Sequence, residues 1–102
     1  MANNARVFKA LSNSRRLMIL AMLQNGEATA RTISKNLKIA QSTLSVHLKV
    51  LANLGLVATR VEHNMTYYYI SKEGSESALA IARQLLKAAG NNHAGVGGPP
   101  AI

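Results

Sequence analysis

The chain has 102 residues, with twelve Lys and Arg against four Glu, no aspartate, a formal net charge of +8 and no cysteine. A chain of this length makes one domain that buries only about two-thirds of its unfolded surface, so stabilisation by a second subunit is expected. The lack of cysteine excludes disulfides, thiolate metal sites and thiol redox sensing. No apolar run approaches the roughly 18 residues that cross a bilayer, and residues 1–9 lack the apolar core of a secretory signal, so a cytoplasmic protein is expected.

The charge is unevenly placed. Residues 1–60 hold nine Lys and Arg against the single Glu27, whereas residues 61–102 hold three against three. A basic half beside a neutral half is the footprint of a polyanion-binding surface, and nucleic acid is the first polyanion to consider.

Hydrophobic periodicity places a first helix from Asn3 or Asn4 to Leu11, with Val7, Phe8 and Leu11 on one side. Phe8, the only phenylalanine, is expected to anchor the core. Ser12, Asn13 and Ser14 supply caps for a second helix over Arg15–Leu23, whose Leu17, Ile19, Leu20 and Leu23 predict a largely buried element. Arg15 and Arg16 are expected to stay solvated at its start, within reach of a phosphate. Asn25-Gly26 ends that helix and Thr29 caps the next.

Residues 29–51 read as two short amphipathic helices joined by a tight turn. The first sets Ile33 and Leu37 on one face, with Arg31, Ser34, Lys35 and Lys38 turned away. The second starts near Gln41 and buries Leu44, Leu48 and Leu51 on one stripe, leaving Ser42, Ser45, Val46 and Lys49 on the other side. That outer face is small, hydroxylated and basic, as a groove of duplex DNA requires. Two closely joined helices also occur in plain bundles; the uneven charge and the hairpin pattern C-terminal to these helices favour the nucleic-acid reading.

Gly55 stands where a left-handed C-cap belongs, and the period then changes. Residues 56–61 and 65–70 alternate with β-branched and aromatic residues around a turn of Glu62, His63 and Asn64, predicting a hairpin with Tyr68 and Ile70 toward the core. Its tip offers Arg60 to a phosphate, while Glu62 opposes one. A last helix over Ser75–Ala89 is apolar over more than half its circumference. Its surplus, with Leu79, Ala82 and Leu86, is expected to be buried against the same helix of a second copy, and Val7 and Phe8 of the first helix are expected to complete the dimer interface. The fold class is thus mainly α with a small β-hairpin, a winged helix-turn-helix of order ααααββα that dimerises through its first and last helices. Residues 1–89 form the DNA-binding and dimerisation domain. From Gly90 the glycine- and proline-rich stretch is expected to be a disordered tail over 90–102.

The strings FKALSNSRRLMIL at 8–20, ISKNLKIAQSTLSVHLKVLANLGLV at 33–57 and TYYYIS at 66–71 resemble the ArsR/SmtB family of winged-helix bacterial repressors over residues 5–89. The resemblance implies a homodimer on a near-palindromic operator, with Gln41, Ser42 and Ser45 at the base-reading positions, supported by Val46 and Lys49. It also marks departures. Ala40 stands where many members cap the recognition helix with serine, Val46 where many have histidine, and Ser14 where proline often precedes the arginine. Thr29 and Arg31 occupy the positions where metal-responsive members carry cysteines, and Ser75–Ala89 has neither Asp nor His for a zinc or nickel site. No metal and no cofactor is expected, and any inducer or partner protein is of a class the residues do not reveal. His47, at the edge of the leucine stripe, is expected to be structural.

The leading expectation is a sequence-specific, homodimeric DNA-binding repressor whose partner is double-stranded DNA, with no membrane role. A nonspecific architectural DNA-binding protein and a protein-interaction winged helix are the competitors. An enzyme is disfavoured, since the four glutamates and three histidines show no spacing suited to acid–base work.

Overall fold

The computed structural model describes residues 2–92. Five helices and three strands succeed one another in the order α1 (Ala2–Leu11), α2 (Ser14–Gln24), β1 (Ala28–Thr29), α3 (Ala30–Leu37), α4 (Gln41–Asn53), β2 (Val57–Glu62), β3 (Met65–Ile70) and α5 (Lys72–Asn92). Each boundary has a local cause. The Asn13 carboxamide oxygen accepts from the N–H groups of Arg15 and Arg16 at 3.0 and 3.2 Å, capping α2. The Thr29 hydroxyl accepts from Thr32 N at 3.2 Å, capping α3. Helix α3 ends where Lys38 turns left-handed at φ 56°, and α4 starts at Ala40 with no side-chain cap. Gly55, at φ +76°, closes α4 as the left-handed residue that favours glycine.

The hairpin turns on His63 and Asn64, both at positive φ, the backbone that matches the twist of two antiparallel strands. Strand β2 pairs with β3 from Val57↔Ile70 to Glu62↔Met65, so Glu62 belongs to the ladder and the turn has two residues. Strand β1, which carries no pattern long enough to be read as a strand, pairs antiparallel with the other edge of β3 at Ala28↔Tyr68 and Thr29↔Tyr67. The sheet order is therefore β1-β3-β2. This short ladder ties the start of the helix-turn-helix to the wing.

The core gathers Leu11, Ile19, Leu20, Leu23, Ile33, Leu44, Leu48, Leu51, Leu56 and Val57, with Tyr68 and Ile70 packed against it as expected. Phe8 does not join it. It is 54% exposed on α1, because Val7, Ala10 and Leu11 take the inward side of that short helix. Leu79, Ala82 and Leu86 are exposed on α5, whereas Ala78 and Ile81 face the core.

Helix α5 starts three residues before the expected Ser75. Its cap is Ser71, whose hydroxyl accepts from Gly74 N at 2.9 Å and donates to Gly55 O at 2.6 Å, while Ser71 N donates to Leu56 O at 3.0 Å. Gly74 concealed this start, since glycine is a poor helix former. Its reason is tertiary: a Cβ there would stand 2.0 Å from the Leu56 carbonyl oxygen. The helix also runs past Ala89 to Asn92, so 90–92 are helical; the rest of the expected tail, 93–102, lies outside the described residues.

Gly74→Ala is predicted to destabilise the protein by about 2–3 kcal/mol in urea unfolding, the cost of forcing α5 off the Leu56 backbone. A gain of up to about 1 kcal/mol, as at an uncrowded helical glycine, would contradict this packing.

Candidate nucleic-acid interface

The rotation of α4 about its axis is set by what it buries. Leu44, His47, Leu48 and Leu51 lie within the protein, which leaves Gln41, Ser42, Ser45, Val46 and Lys49 exposed. Val46, an apolar side chain turned to solvent, is 60% exposed. The face thus offers a carboxamide, two hydroxyls, a branched apolar tip and an ammonium, a set able to meet donors, acceptors and a thymine methyl at base edges. Arg31 and Lys35 on α3 and Lys38 at its C-cap are exposed while Ile33 is buried, so three cations stand on the helix that precedes α4 and its end.

Arg60 is placed differently. Its Nε and Nη2 donate to the two carboxylate oxygens of Glu27 at 2.7 and 2.6 Å, and Nη1 donates to Glu62. Its guanidinium carbon lies 4.7 Å from the centre of the Tyr67 ring. The hydrogen bond from Arg60 holds the Glu27 carboxyl below the ordinary carboxylate range, and the Glu27 and Glu62 carboxylates push the Arg60 guanidinium still further up. Two carboxylates already meet this cation, so it contributes little free positive charge to the wing. The signal was present in the sequence: Glu27 is the only acid among residues 1–60.

His47 is only 8% exposed. Arg16 Nε donates to its Nδ1 at 3.2 Å and Arg16 Nη1 donates to Ala10 O at 3.3 Å. Arg16 is accordingly half-buried rather than solvated, because the histidine on the leucine stripe needs a donor and Arg16 supplies it. Burial, followed by the charges of Arg16 and Arg15, holds the imidazole below its ordinary pKa of 6.5 and keeps it neutral. It positions α4 from within and does not face a ligand.

Among the described residues no three His, Cys, Asp or Glu side chains converge as metal ligands do. No described helix is long and apolar enough to cross a membrane.

The profile of the family described as bacterial regulatory protein, arsR family, matches residues 13–59. The transcriptional activator HlyU of Vibrio cholerae is 37% identical over 79 residues, covering 78% of this chain and 73% of the relative. The arsenical resistance operon repressor of Staphylococcus aureus is 38% identical over 65 residues, covering 64% and 62% respectively. Among solved structures, the homodimeric winged helix-turn-helix DNA-binding domain Mb0332 of Mycobacterium bovis superposes with a TM-score of 0.74 at 33% identity, covering 98% of this chain and 89% of that one.

The buried imidazole makes stability depend on pH. Its pKa is lowered by folding, so the unfolded chain takes up the proton first. Its contribution is complete above about pH 6.5 and is lost as the pH falls through the lower folded value. The wild-type Tm is predicted to fall more steeply from pH 7 to pH 5 than that of His47→Asn, whose amide oxygen accepts from Arg16 without titrating. Parallel Tm profiles would contradict this role.

Proposed function

Because the chain belongs to the ArsR family of bacterial regulatory proteins, winged helix-turn-helix transcriptional regulators, we propose that it acts in the cytoplasm as a homodimeric repressor of a near-palindromic operator. The observation that carries this reading is the outer face of α4: five polar, basic or small apolar side chains stand exposed on a helix whose other side is locked into the core. Gln41, Ser42 and Ser45 read base edges, with Val46 set for a thymine methyl and Lys49 at the rim. Arg31, Lys35 and Lys38 bind backbone phosphates and fix the register. Arg60, held by Glu27 and Glu62, positions the wing and is a weak phosphate contact. Repression results from occupancy, since a dimer seated in successive major grooves excludes other proteins from that stretch of duplex.

The homodimer is supported by the solved relative described as one and by an unpartnered apolar surface. Phe8 is 54% exposed on α1, where it lies beside Ile81 and Gln84, whereas Leu79 at 50% and Leu86 at 72% stand with the exposed Ala82 on another side of α5, and Val7 lies at the core edge. Large apolar side chains exposed on both helices are the kind of surface that a second subunit covers.

The test of DNA recognition is fluorescence anisotropy on a labelled operator across a salt series. A dimer that neutralises about eight phosphates gives a slope of log affinity on log salt near −7. Lys35→Gln should make the slope less negative by about 0.9 per lost contact, whereas Arg60→Gln should leave it within error of wild type. Gln41→Ala should cost about 1–3 kcal/mol on the preferred site with an unchanged slope. Affinity that is equal for all sequences in every variant would turn the reading into nonspecific binding.

For the dimer, Phe8→Glu with Leu79→Glu is predicted to weaken self-association at least about tenfold in sedimentation equilibrium while circular dichroism stays helical, because both side chains are exposed in the protomer. An undiminished dimer would move the interface elsewhere.

A further inference from the structure

A second cationic feature lies apart from the outer face of α4. Arg6 and Lys9, three residues apart on one side of α1, converge with Arg16 of α2 on the last turn of α4. Together with Val50, Asn53 and Leu54 they line a cleft of about 480 Å³. Three cations thus share one concavity, with no carboxylate among the described residues that line it. The ion pairs among the described residues involve only Arg60 and His63 as cations, so Arg6, Lys9 and Arg16 have no carboxylate partner there.

Three backbone carbonyls in the last turn of α4 are already paired within the backbone. Val50 O, Leu51 O and Ala52 O already accept from the backbone N–H groups of Leu54, Leu56 and Gly55. Arg16 is also held in place, through Nε on His47 and Nη1 on Ala10 O, while its Nη2 meets no acceptor among the described residues. A fixed, half-buried guanidinium flanked by two flexible cations is an arrangement suited to a phosphoryl group, since the planar fork orients the oxygens and the flexible cations supply charge. The Val50 and Leu54 side chains add apolar surface for carbon atoms attached to it.

We propose that this cleft is an anion site for a phosphoryl group, carried either by a small metabolite-sized molecule or by the DNA backbone. Its occupant contacts Arg16 and so lies one side chain away from His47 of the recognition helix.

The test titrates ¹⁵N-labelled full-length protein with inorganic pyrophosphate at constant ionic strength, and repeats the titration with Arg6→Gln/Lys9→Gln. Both substituted residues are exposed, so α1 keeps its core contacts. Arg31→Gln/Lys35→Gln, with the same loss of charge, serves as the control. A free anion predicts saturable shifts confined to Lys9, Arg16 and Asn53, at least tenfold weaker in the first variant, unaltered in the control, and no change in the DNA salt slope. A DNA phosphate as occupant predicts that the first variant makes that slope less negative by about 0.9 per lost contact, with duplex DNA displacing pyrophosphate from the cleft. Shifts that do not saturate and spread equally over Arg31, Lys35 and Lys49, together with an unchanged slope, would overturn the proposal.

Discussion

The structure depends on the burial of one side of α4. Leu44 and Leu51 are fully enclosed and Leu48 nearly so, against Ile19, Leu20 and Ile33. Each such side chain contributes about 1.5–3 kcal/mol by leaving water, so rolling the helix by one residue would forfeit more than a small domain has to spare. The exposed row from Gln41 to Lys49 is therefore presented rigidly. The missing side-chain cap at Ala40 leaves the first turn of α4 with free N–H groups, which a DNA phosphate at that end would satisfy.

Polar contacts lock the same helix at two further points. His47 interrupts the leucine stripe and is made tolerable by the Arg16 N–H, which ties α4 to α2 and, through Ala10 O, to α1. At the other end Ser71 links Gly55, just beyond α4, to the first turn of α5, and the absent side chain of Gly74 lets the two backbones touch. The proposed dimer helix and the proposed reading helix are thus tied together at Ser71 by two consecutive hydrogen bonds, one from its hydroxyl to Gly55 O and one from Gly74 N to that hydroxyl.

The periodic elements were legible in the sequence because burial there tracks the helix period: Ile33 with Leu37, and Leu44 with Leu48 and Leu51. The alternation of Tyr68 and Ile70 likewise placed the inner face of the wing. What escaped reading was decided by contacts distant in sequence. Strand β1 is two residues long and exists only through pairing with Tyr67 and Tyr68. The α5 start is hidden by a glycine retained for contact with Leu56. Phe8, though the largest apolar side chain of α1, faces outward because Leu11 and Ala10 fill the space beneath it. Charge placement was legible only in sum. Sequence places Arg16 and Arg60 among the solvated cations of the basic half, whereas the fold assigns one to a histidine and the other to two carboxylates.

In the proposed complex α4 reads bases as one of a symmetric pair. The most direct measurement is selection of bound duplexes from a random DNA pool by the purified protein at near-physiological salt, then sequencing of the recovered pool. Enrichment of a two-fold symmetric site is expected, with half-sites centred about one helical turn, or roughly 34–36 Å, apart or a multiple of it. Recovery of bound DNA with no enriched sequence, or of a single asymmetric half-site, would contradict the proposed complex.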